Sequence, residues 1–167
     1  CSLGGSRLRE WQPGERLFEA AVAETAKALK SGARLAGILW HQGESDSKEV
    51  ESALTYAKRL RVIMAALIAR IREAAGVAER VCAPLPVLVG ELGEYLDGNA
   101  DSLYHREINA QLAEFAALRP EYALVRARGD VEGIAIQRVH ILHVHEVGLR
   151  DVLQVAEQVA AGVADTA

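Results

Sequence analysis

The chain lacks any apolar run near the ~20 residues that a membrane-spanning helix requires, so no segment of it reads as a transmembrane span. It also lacks a basic stripe. Its 19 lysines and arginines are interspersed with 23 aspartates and glutamates for a net charge of −4, which excludes the electrostatic footprint of a nucleic-acid-binding surface. Cysteine is scarce: the two present, Cys1 and Cys82, stand in apolar surroundings and read as reduced thiols rather than as a disulfide. No internal repeat or low-complexity segment interrupts the 167 residues. What is present is apolar material, half of all residues, and it suffices for one core in one domain over 1–167.

Periodicity divides the chain into alternating strands and helices. Leu17, Phe18, Ala21, Val22, Thr25, Ala28 and Leu29 recur at three and four, which predicts an amphipathic helix over 15–30, opened by Pro13-Gly14 and closed by Ser31-Gly32. An apolar run from Leu35 to Trp40 then reads as a buried parallel strand. A long helix is expected over about 48–75, with Leu54, Leu60, Ile63, Met64, Leu67, Ile68 and Ile71 inward and Lys58, Arg59, Arg61, Arg70 and Arg72 on a solvated face. Pro86 to Gly90 reads as a second strand, Ser102 to Leu118 as a helix, Tyr122 to Val125 as a third strand, and Gly148 to Val163 as a closing helix. Three strand-to-helix alternations with short connections predict α/β architecture, a parallel sheet in a three-layer α/β/α sandwich. Cys1-Ser2-Leu3 reads as the end of a strand that begins before the first residue.

The densest chemistry stands where the first strand ends, at Trp40-His41-Gln42-Gly43-Glu44-Ser45-Asp46. Open α/β sheets bind ligands at the carboxyl ends of their strands. Gln42 and Gly43 suit the role of oxyanion donors there, through a side-chain amide and a backbone N–H, and one well-placed donor contributes about 3 kcal/mol. Glu44 reads as a residue that fixes this loop, because an ionised carboxylate facing an oxyanion raises the barrier. The second strand also ends in acid and glycine, at Glu91-Leu92-Gly93-Glu94, which is either a cleft border or a surface loop. His140, His143 and His145 form a trio near the carboxyl end of the chain. They read as a histidine base, as surface histidines on a strand, or, with Glu146 or His41, as metal ligands.

The Trp40 to Asp46 block resembles the Trp-x-Gln-Gly-Glu-Ser block of SGNH-hydrolase carbohydrate esterases, the sialate O-acetylesterase and acetyl xylan esterase group. Gly4-Gly5-Ser6 with Trp11 is similar to that group's Gly-Gly-Thr/Ser segment, and His143 to Arg150 resembles its C-terminal histidine block. The resemblance implies a flavodoxin-like fold and serine-type hydrolysis of acetyl esters on carbohydrates, with no metal and no organic cofactor. It implies that Gly5 and Gln42 serve the oxyanion, that Gly43, Glu44 and Glu91 border the substrate, and that His143 or His140 is the base. The group's Asp before the histidine is replaced, by His140 if His143 is the base or by Gln137 if His140 is. The group's Gly-x-Ser nucleophile block is absent from these residues, so the expectation is a domain without its N-terminal strand. The alternative is a catalytically inactive SGNH-like domain that binds glycans or a protein.

Overall fold

The computed structural model describes residues 5–76, 78–127 and the backbone of 138–144. After a 3-10 turn at Leu8–Trp11, the chain forms helix α1 (Arg16–Lys30), strand β1 (Arg34–His41), helices α2 (Val50–Leu54) and α3 (Tyr56–Ala75), and strand β2 (Val87–Gly90). Helix α4 (His105–Ala116) and strands β3 (Tyr122–Val125) and β4 (Arg138–Val144) follow. The sheet order is β3-β2-β1-β4. The first three strands are parallel, with Ile38 opposite Val87 and Val87 opposite Tyr122, so their carboxyl ends share one edge. The α/β fold with a parallel sheet is the expected one.

One helical layer is described. Ile38, Trp40, Val87 and Val89 alternate onto a single face of the sheet and join Phe18, Leu60, Met64 and Ile108 from α1, α3 and α4 in one continuous core. Ala36, Leu39 and Leu88 alternate to the other face and are buried too. The helix expected over 148–163 lies outside the described residues.

Three details differ from the sequence reading. The long helix divides at Thr55, whose backbone (φ −101°, ψ 5°) leaves the helical region, so α2 turns away and Leu54 is exposed rather than inward. The C-terminal histidine segment contains a strand, as one of its readings held, but this strand, β4, runs antiparallel to β1 in a sheet expected to be parallel. An antiparallel edge on a parallel sheet is a common arrangement, and the segment's β-branched content suits it. Arg59, assigned to a solvated face, instead turns one end toward the buried Asp46.

Candidate active site

The end of β1 is organised by a chain of hydrogen bonds that runs in one direction. Trp40 Nε1–H donates to the Tyr56 hydroxyl at 3.0 Å, and Tyr56 O–H lies 2.6 Å from Gln42 Oε1 and 2.8 Å from the Gln42 carbonyl oxygen. An indole N–H only donates, so the tyrosine oxygen accepts from Trp40 and gives its own proton to Gln42. That sets Gln42 Oε1 toward Tyr56 and its NH2 outward. The two amide hydrogens then meet Asp46 Oδ2 at 2.7 Å and the Ser6 carbonyl at 2.9 Å. Burial holds the Tyr56 phenol well above its ordinary value, which keeps this donor protonated.

Asp46 collects the donors. Its Oδ2 also accepts Leu8 N–H at 2.8 Å, and Arg59 stands 3.7 Å from Oδ1. Burial nonetheless raises the carboxyl above its ordinary 3.8, against the lowering effects of Gln42, Leu8 N–H and Arg59. A single acidic side chain therefore joins the loop after β1 to the 3-10 turn at Leu8–Trp11.

The same loop grips the glycine segment at the start of the described chain. Ser45 Oγ donates to the Gly5 carbonyl at 2.9 Å, beside the Gln42 bond to Ser6. Trp11 Nε1–H donates to Ser6 Oγ at 3.2 Å, and the Trp11 ring meets Trp40 edge-on at 5.3 Å. Gly5, Gln42 and Gly43, read as donors from the sequence, are thus brought together at the sheet's carboxyl edge. Both hydrogens of the Gln42 amide are engaged, so it reaches an oxyanion only by releasing Ser6 or Asp46.

Gly43 has a backbone that side chains rarely adopt, φ +147°, and a Cβ there would lie 2.7 Å from Ile108 Cγ2. Gly43→Ala is expected to destabilise the protein by about 3 kcal/mol, combining backbone strain with overpacking against α4. Urea unfolding checks this. A midpoint unchanged from the parent protein rejects the close approach as an energetic constraint.

The loop after β2 closes against this one. The Tyr95 hydroxyl donates to Glu44 Oε1. Burial first, then this bond, raises the Tyr95 phenol above its ordinary value. Tyr104 N–H donates to the Ser47 carbonyl at 2.9 Å, and Lys48 pairs with Asp101 at 3.5 Å. Glu91 is drawn in through its backbone: its carbonyl accepts His41 Nε2–H at 3.2 Å, and the His41 ring lies against Gly90. Asn109 of α4 fixes the next residue from both sides, accepting Leu92 N–H at 2.7 Å and donating to the Leu92 carbonyl at 2.9 Å.

The two histidines expected to supply the base occupy different levels of β4. His140 is opposite Leu39 and His143 opposite Leu35. At about 3.3 Å per residue, the His140 backbone is about 7 Å along β4 from the level of His41, and that of His143 about 17 Å. The structure brings His140 nearer to the Gln42 loop. Their side chains, with His145 and Glu146, lie outside the described residues.

The family model for carbohydrate esterase, sialic acid-specific acetylesterase, matches residues 1–155. The chain belongs to this carbohydrate esterase family. It is 35% identical over 60 residues, 36% of this chain and 23% of the relative, to the probable carbohydrate esterase At4g34215 of Arabidopsis thaliana. The X-ray structure of the Arabidopsis thaliana protein AT4G34215 superposes with a TM-score of 0.62 at 21% identity, over 97% of this chain and 58% of that one, which shows a shared fold. The chain spans less than two thirds of the length of these relatives.

In this member of the carbohydrate esterase family, sequence reasoning missed Asp46, Tyr56 and Ser6 as partners of the glutamine. The signal was present for two of them. A buried Trp-x-Gln carries an obligatory indole donor and a two-sided amide, so it requires a hydroxyl and an acceptor within reach. Asp46 belongs to the quoted block itself, whereas Tyr56 stands sixteen residues from Trp40 and enters through the helix break at Thr55.

Proposed function

We propose that this carbohydrate esterase domain serves the hydrolysis of O-acetyl esters on sugars, of the sialate or acetyl xylan type. In this reading a serine Oγ attacks the acetyl carbonyl carbon while a histidine takes its proton. The Gly5 and Gly43 backbone N–H groups, and the Gln42 amide once it releases the Ser6 carbonyl, meet the oxygen of the tetrahedral intermediate, a stabilisation worth about 3 kcal/mol per donor. The histidine then protonates the departing sugar oxygen, and water releases acetate from the acyl-serine. His140 is favoured over His143 as the base by its nearer level on β4. The observation that carries the reading is the family match over residues 1–155, whose Gln42–Asp46 loop lies at the sheet's carboxyl edge.

A second reading has its own support. The hydroxyls of Ser6, Ser45, Ser47 and Ser52 are engaged with an indole N–H, two backbone carbonyls and a glutamate. Among the described residues none of these partners is a histidine, and this is the pattern a domain that binds acetylated glycans or a protein without cleaving them would have. Turnover of 4-nitrophenyl acetate and of an O-acetylated sugar, with and without a serine-directed fluorophosphonate, separates the two. The esterase reading expects turnover that the probe abolishes, with one labelled serine on peptide mapping. Sugar binding without turnover or label selects the binding domain.

A further inference from the structure

The chain has eight aromatic residues, two Phe, two Trp and four Tyr, all among the described residues. Seven are buried or half-buried. Tyr95 alone is exposed, at 39%. It stands on the loop after β2, at the sheet edge where the loop after β1 also emerges. Its ring is held in two places: the Cδ1–Cε1 edge abuts Gly93, where a Cβ would come within 2.6 Å, and the hydroxyl bonds Glu44. One edge and the tip are held, which fixes how the ring is presented at this sheet edge. A tyrosine with its orientation set before any ligand arrives is suited to stacking, because little side-chain freedom remains to be lost.

The surroundings select among ligands. Residues 43–49 and 91–101 carry seven carboxylates and one cation, Lys48. Among the described residues, the cations that reach them are engaged: Arg7 with Glu49, Lys48 with Asp101, Arg59 with Asp46, and Arg106 with Asp97. An anionic sugar approaches this rim against its charge. A neutral pyranose does not, and its axial C–H groups give it an apolar face that complements an aromatic ring, while carboxylates accept its hydroxyl protons.

We propose that Tyr95 is a sugar-binding residue, a platform on which the ring of a neutral O-acetylated pyranoside stacks beside the Gln42–Asp46 loop. This rests on the carbohydrate esterase reading and narrows its substrate class. The test uses the acetamide analogue of an O-acetylated methyl xyloside, which an esterase does not cleave, titrated against the protein by NMR. Intermolecular NOEs between sugar C–H and Tyr95 ring protons are expected in the parent protein. Tyr95→Ala is expected to raise Kd about tenfold, and Tyr95→Phe, which keeps the ring and loses the Glu44 bond, less than about threefold. Absence of those NOEs, or a Tyr95→Ala affinity equal to the parent's, overturns the platform. Tighter binding of the matching sialoside analogue overturns the neutral-sugar assignment. Turnover of 4-nitrophenyl acetate by the parent protein is measured separately. Its absence removes the esterase reading and leaves the platform to the NOE result.

Discussion

Gln42→Ala is expected to lower the unfolding free energy by about 3 kcal/mol and, in an active protein, to lower turnover by about a hundredfold. The stability loss has two sources. The Asp46 carboxylate and the Ser6 carbonyl each lose a donor in a site where Gln42 is 1% exposed, and the truncated side chain leaves a small void. Tyr56 is spared, because the Gln42 backbone carbonyl already lies 2.8 Å from its hydroxyl and remains to accept its proton. The cost is therefore that of one charge-assisted bond, one neutral bond and a cavity, not of an orphaned phenol. The turnover loss has a separate origin, the removal of an oxyanion donor, so the two measurements are made on the same variant. Urea unfolding gives the first and turnover per folded molecule the second. A destabilised variant with undiminished turnover assigns Gln42 to loop architecture and leaves the oxyanion to backbone N–H groups.

The alternation of elements was legible because each parallel strand is a short apolar run bounded by glycine or proline. β1, β2 and β3 fall within one residue of their expected limits. The helix break at Thr55 was not legible, since Leu54 continues the apolar spacing of α3 and betrays its exposure only in three dimensions. The loop after β1 stood out by its residue types, and its Ser45 hydroxyl reaches the Gly5 carbonyl. The partners of Gln42 were harder to read. A glutamine in a buried loop calls for an acceptor, yet Asp46 and Ser6 are both short polar residues that serve equally well as turn formers. Tyr95 was passed over because a tyrosine in an acidic, glycine-rich loop has no periodicity to mark it. Its significance comes from burial of the other aromatics, a property of the fold rather than of the local sequence.

Asp46 is expected to show the opposite tolerance to its two simplest replacements. Asp46→Ala removes the acceptor of Leu8 N–H and Gln42 Nε2–H and the counter-charge of Arg59, at a cost of about 4 kcal/mol. Asp46→Asn keeps an oxygen for both donors and removes the buried charge, so it is expected to remain within about 1 kcal/mol of the parent near neutral pH. The pH dependence sharpens the comparison. Folding raises the Asp46 carboxyl above 3.8, so the native state holds this proton more tightly than the unfolded chain does. The associated stability is fully present below 3.8 and is lost as pH rises through the raised value. Glu49 and Asp97 act with the reverse sign: hydrogen bonds from Arg7 and Arg106 hold them low, and their contributions are lost on acidification. Those terms are common to parent and Asp46→Asn and cancel in the difference between them. Urea titrations near pH 4 and near pH 7 should therefore show Asp46→Asn gaining on the parent as pH rises. A difference that stays flat means that Asp46 bears no net desolvation penalty. One that moves the other way means that Arg59 and the two N–H donors outweigh burial, and that Asp46 stabilises the loop as an anion.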